Sequence, residues 1–85
     1  MSTEIPYVIT FDSTHAAMEA EKRLLNKGVK IHVIPTPRQI TANCGLSVKI
    51  MEITREELED LLRELQIEKK NLYRMESFHK IEQVG

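Results

Sequence analysis

The segment from Ile53 to Leu65 constrains this chain more than any other. Thr54-Arg55-Glu56-Glu57 places a hydroxyl at a helix N-cap and a carboxylate three residues later, the reciprocal pattern of a capping box. Ile53 and Leu58 stand at the positions of a hydrophobic staple, and Leu58, Leu61, Leu62 and Leu65 line one face at helical spacing. Such a stripe has to be buried against another element. Leu46-Ser47-Val48-Lys49-Ile50, just upstream, alternates with period two, Leu46, Val48 and Ile50 inward and Ser47 and Lys49 outward. A chain of 85 residues buries only about 60–65% of its unfolded surface, so strand and helix must share one two-layer core.

The remaining elements complete the pattern. Pro6 precedes the β-branched and aromatic run Tyr7-Val8-Ile9-Thr10-Phe11, a first strand. Asp12 or Ser13 can cap a helix running through Lys27, with Ala17, Ala20 and Leu24 on one small-residue face. Lys27 suits the negative helix end, and Gly28 can take the left-handed position after it. Lys30-Ile31-His32-Val33-Ile34 reads as a second strand, and a fourth lies within Leu72 to Phe78. The order β-α-β-β-α-β is that of a ferredoxin-like split βαβ fold, class α+β, with a four-stranded antiparallel sheet and both helices on one face. The other face is then wet or covered by a partner, which leaves a homodimer open. The expected organisation is a single domain over residues 1–85, its core about 5–78, with 79–85 a frayed tail.

Composition excludes several function classes. Charged residues make up 29% of the chain but nearly cancel, for a net charge of −1. A domain built to hold nucleic acid needs a basic stripe, and the aromatic signature of RNA-recognition modules is missing, with two Phe and two Tyr in all. No apolar run approaches the roughly 20 residues of a membrane span. Met1-Ser2-Thr3-Glu4 does not open a secretory signal, and a single cysteine forms no internal disulfide, so a cytoplasmic location is expected. His15, His32 and His79 have no metal-ligand spacing to one another or to Cys44, and neither a glycine-rich phosphate loop nor a dinucleotide fingerprint occurs, so no metal or cofactor is expected. The acidic run around Glu56, Glu57, Glu59 and Asp60 reads as a solvated helix face.

Chemistry concentrates in the connection from Pro35 to Gly45, eleven residues where a tight hairpin needs about two to five. Thr36-Pro37-Arg38-Gln39 has a capping residue, a proline at the first helical position and a glutamine at the capping-box position, which predicts one short helical turn from Pro37 to Ala42. Asn43-Cys44-Gly45 then turns into the third strand, Gly45 supplying a positive φ or room for close approach. Cys44 is either a small, partly buried hydrophobe ending the loop or a reactive thiol. In the second case Arg38, the one cation in the loop, and unpaired amides of Thr36, Arg38 or Gly45 can favour an anion there. Arg38 reads equally as a solvated charge, Thr36 and Gln39 as local caps or substrate contacts, and Thr41 and Asn43 as turn formers or ligand contacts.

Phe11-Asp12-Ser13-Thr14, Ala20-Glu21-Lys22, Gly28, Pro35-Thr36-Pro37-Arg38 and Cys44-Gly45-Leu46 together resemble the small selenium/sulfur (Se/S) carrier protein-like domains, over about Tyr7 to Leu65. The resemblance implies a carrier rather than a turnover enzyme. Cys44 would accept sulfur or selenium as a persulfide or selenopersulfide from a cysteine desulfurase-type donor and deliver it to a sulfur- or selenium-using acceptor. Arg38, Gly45, Thr36, Thr41 and Asn43 would then steady the anion. The residues alone also admit a non-catalytic interaction or small-ligand regulatory domain, and a thiol redox sensor.

Overall fold

The computed structural model describes residues 5–40 and 45–85. Its elements are β1 (Tyr7–Thr10), α1 (Thr14–Asn26), β2 (Ile31–Pro35), β3 (Leu46–Ile50), α2 (Arg55–Glu64), β4 (Asn71–Ser77) and β5 (Lys80–Gln83). The strands form one antiparallel sheet in the order β2-β3-β1-β4-β5, with β1 between β3 and β4. The α+β class and the antiparallel sheet therefore match the reading of the sequence, but the sheet has five strands, not four.

The extra strand comes from the stretch expected to fray. β5 pairs with β4, Ile81 opposite Met75 and Glu82 opposite Arg74, with a register irregularity between Met75 and Ser77. The last residues are tied in as well. Leu72 N–H donates to the Gly85 carbonyl at 2.8 Å, Val84 N–H donates to the Leu72 carbonyl at 2.9 Å, and the Arg55 guanidinium donates to the Val84 carbonyl. Ile81 and Val84 supply the apolar contacts that hold this segment, each packed against a different buried cluster.

The helices form where the sequence places them, for the expected reasons. Ser13 caps α1, its hydroxyl accepting from Ala16 N–H at 3.1 Å, and Gly28 takes a left-handed φ of 77° after the helix. Thr54 and Glu57 build the capping box. Glu57 N–H donates to Thr54 Oγ1 at 3.2 Å, and Thr54 N–H to Glu57 Oε1 at 3.2 Å. Ala17, Ala20 and Leu24 of α1 and Leu58 and Leu62 of α2 bury into one cluster with Ile9, Phe11, Ile31, Val48, Ile50 and Leu72, so both helices cover the same sheet face. The helices are also joined directly: Arg23 donates to the carbonyls of Leu65 and Gln66 at 3.0 and 3.3 Å, and Lys27 pairs with Glu64 at 2.5 Å. A cation at those last carbonyls complements the α2 dipole.

The opposite face is where the structure departs most from expectation. Val8, Met75 and Ile40 form a second buried cluster, with Ile34, Tyr73 and Ile81 packed around it. Ile40 lies in the β2–β3 connection, so the chain folds its own loop onto the face expected to be wet or to meet a partner. Ser47, expected to point to solvent, is fully buried on that side of the sheet.

Removing the Thr54 cap with Thr54→Ala lowers unfolding free energy by about 1 kcal/mol, and Leu58→Ala by about 3 kcal/mol, both read by urea denaturation. The bonds from Thr54 N–H, then its hydroxyl, hold the Glu57 carboxyl below its ordinary value of 4.5. A lowered folded pKa stabilises above the ordinary value and is lost as pH falls through the folded one. The hydroxyl's share of the Thr54→Ala penalty is therefore full above the ordinary carboxylate value and shrinks as pH falls through the lowered folded one, while the share of the Thr54 N–H bond is kept in the variant; a penalty that grows on acidification in urea denaturation contradicts this account of the cap.

Candidate functional site

The β2–β3 connection is pinned at its neck. Pro35 stands opposite Leu46 as the last rung of the ladder. Beyond it Thr36 N–H donates to the Gly45 carbonyl at 2.9 Å, and the Thr36 and Ser47 hydroxyls lie 2.7 Å apart. The Thr36 amide expected to bind an anion is therefore already engaged. So is the Gln39 side chain, whose amide donates to the Phe78 carbonyl at the β4–β5 connection. The groups a Thr36–Gln39 capping box would need are thus spent elsewhere.

Pro37 to Ile40 folds as a turn, closed by Ile40 N–H to the Pro37 carbonyl at 3.0 Å; the rest of the helical turn expected from Pro37 to Ala42 lies outside the described residues. The turn exists to deliver Ile40. That side chain is 6% exposed and caps Val8 and Met75. Ile40 is also the one large aliphatic residue between Pro35 and Gly45, and this was the available sign that the loop packs on the sheet. Arg38, on the same turn, is exposed and pairs with no carboxylate among the described residues.

Gly45 is exposed, and a Cβ built on it would meet no atom within 4 Å. Packing of the described residues thus gives no reason for glycine there, contrary to the expected close approach. Thr41, Asn43 and Cys44, the other site residues read from sequence, lie outside the described residues. The structure brings Thr36 and Gly45 together and adds Ser47, whose place in the alternation of β3 suggests only an outward strand position.

Topology places a helix end near this neck. β1 and β3 are antiparallel, with Ile9 opposite Val48, so the chain leaves β1 for α1 at the sheet end where Gly45 leads into β3. The first turn of α1 carries no acidic residue, and Asp12 just before it is paired with Lys70 at 3.5 Å. The positive end of α1 therefore opens at the sheet end that bears Gly45, the chain neighbour of Cys44. The hollow lined by Arg74, Glu76, His79, Lys80, Ile81 and Glu82 lies on β4–β5 and includes none of these residues. Among the described residues no group of three or more His, Cys, Asp or Glu side chains could hold a metal ion, and no helix is long and apolar enough to cross a membrane.

A family model described as "Putative Se/S carrier protein-like" matches residues 6–74. The match spans β1 through the first half of β4, includes the whole β2–β3 connection, and ends before β5. No curated protein and no solved structure matches the chain.

Ile40→Ala removes the cap of the second cluster and costs about 2 kcal/mol of unfolding free energy or more. Arg38→Ala, on the same turn but exposed, stays within about 0.5 kcal/mol of wild type. Equal effects of the two in urea denaturation contradict the placement of the turn.

Proposed function

The chain belongs to the Se/S carrier protein-like family, and we propose that it carries sulfur or selenium on Cys44. The observation that carries the reading is that the family match includes the chain's one cysteine, in a connection whose neck is held by its own hydrogen bonds. Chemistry of this kind needs a nucleophile presented to a macromolecule, not a deep pocket.

In the proposed cycle the Cys44 thiolate attacks the outer sulfur of a donor persulfide. The donor's S–S bond breaks, the donor leaves as a thiolate, and Cys44 becomes Cys44-S-S⁻, with no net oxidation. The selenium version forms Cys44-S-Se⁻ by the same displacement. An acceptor takes the outer atom and returns Cys44 to the thiolate. Arg38, exposed and without a described carboxylate partner, is the available cation for the persulfide anion. Thr41, Asn43 and the backbone of Gly45 are its proposed neighbours, and the missing side chain at Gly45 leaves room for donor and acceptor. The donor is a cysteine desulfurase-type enzyme and the acceptor a sulfur- or selenium-using enzyme, both in the cytoplasm. We read β1 to β4 with the two helices as a ferredoxin-like split βαβ unit, to which β5 is appended.

Incubation with a cysteine desulfurase and cysteine, followed by intact-mass measurement, tests the proposal. One sulfur is added to wild type and none to Cys44→Ser. Wild type that stays at its starting mass, or Cys44→Ser that gains sulfur, overturns it; a glutathione adduct in place of sulfur favours the redox-sensor reading.

A further inference from the structure

The helix layer has one flank with no neighbouring element among the described residues. α1 packs on β2 and β3, and β2 is the last strand of the sheet on that side. Around the helix, Ala17, Ala20 and Leu24 face the sheet. Glu19, Arg23 and Lys27 face α2 and the residues after it: Arg23 pairs with Glu19 and reaches the carbonyls of Leu65 and Gln66, and Lys27 pairs with Glu64. Met18, Glu21, Lys22 and Leu25, at i, i+3, i+4 and i+7, form the remaining flank, turned away from α2. Met18 and Leu25 are 56% and 54% exposed. Among the described residues the large apolar side chains left exposed are these two and Phe78, so two of the three share one flank. Glu21 and Lys22, between them, make no ion pair among the described residues, although Glu19, Arg23 and Lys27 all do.

The order along that flank is self-complementary. It runs apolar, negative, positive, apolar, and reversal exchanges only the two charges. Laid antiparallel against itself about a two-fold axis between Glu21 and Lys22, α1 puts Met18 against Leu25 of a second copy and Glu21 against Lys22 of that copy, and the symmetry makes each contact twice. Laid parallel, it sets Glu21 against Glu21 and Lys22 against Lys22. The antiparallel arrangement also brings opposite ends of the two helix dipoles side by side. The sheet face that the sequence leaves open is filled by Ile40 of the same chain, so that face offers no site for a second copy and the flank of α1 does. We propose that this flank is the contact between two copies of the chain, an antiparallel α1–α1 pair in a two-fold dimer. These residues take no part in the carrier chemistry, and the contact stands whether or not Cys44 loads sulfur.

Sedimentation equilibrium of the full chain, with the fold followed by circular dichroism, tests the contact. Wild type is expected to move from monomer toward dimer mass as its concentration rises to about 1 mM. Lys22→Glu sets carboxylate against carboxylate at two places and is expected to weaken the dimer about tenfold; Glu21→Lys does the same with two ammonium groups. The charge exchange Glu21→Lys/Lys22→Glu restores opposite pairs and is expected to associate within about threefold of wild type. Met18→Gln/Leu25→Gln keeps good helix formers at exposed positions and is expected to stay folded and monomeric throughout. A dimer built on the β2 edge or at Phe78 is indifferent to all of these substitutions. Wild type that remains monomeric at about 1 mM, a dimer that Met18→Gln/Leu25→Gln leaves unchanged, or a charge exchange that fails to restore what Lys22→Glu lost overturns the proposal.

Discussion

Consecutive residues of a strand point to opposite faces of its sheet. In β1, Val8 and Ile9 are both fully buried. That single fact requires cover on both sides of the sheet. The two helices supply it over Ile9, and the chain supplies it over Val8 from two other places, the turn that carries Ile40 and the β4–β5 pair that carries Met75 and Ile81. A domain of this size has little core to spare, and leaving Val8 and Met75 open to water would forfeit part of it. The long β2–β3 connection is thus a structural element, held down at Ile40 and Gln39 and closed at its neck by Thr36, Gly45 and Ser47.

Local chemistry explains which parts of this were legible beforehand. Ser13, Thr54 and Gly28 act through partners within about one helical turn of themselves, so α1, α2 and their ends could be read off the chain. The apolar stripes of the helices and of β3 announce one buried face by their period. The second face carries no such signal. Its cover is made of isolated residues, Ile40 in a loop and Ile81 in a strand of four, whose neighbours Lys80, Glu82 and Gln83 are polar. β5 therefore resembles a tail in the sequence, and Ser47 a solvent-facing strand residue, because its hydroxyl partner Thr36 lies in a stretch with the pattern of a helix start. Proline at the first helical position and glutamine at the capping-box position are signals that a turn docked by Ile40 can also carry.

At the candidate site, residue types were readable and their division of labour was not. Thr36 and Gln39 were candidates for local capping or ligand contact; both instead make long-range bonds that place the connection, to Gly45 and Ser47 in one case and to Phe78 in the other. Arg38 emerges as the exposed cation, and Gly45 as a glycine that packing does not require. Among the described residues of the connection, Thr36, Gln39 and Ile40 are engaged while Arg38 and Gly45 are exposed, which is what the proposed exchange with a large partner requires. The family match over residues 6–74 stops short of β5, so the cover that this strand gives to the second face belongs to the part of the chain outside that match.

The most direct measurement of the central claim follows the atom itself. Cysteine labelled with radioactive sulfur is supplied to a cysteine desulfurase in the presence of this protein, and the protein is separated without reductant. The account predicts label bound to the chain, released in full by a thiol reductant, and absent when Cys44 is blocked beforehand with iodoacetamide. Label that never reaches the chain, or that persists after Cys44 is blocked, contradicts it.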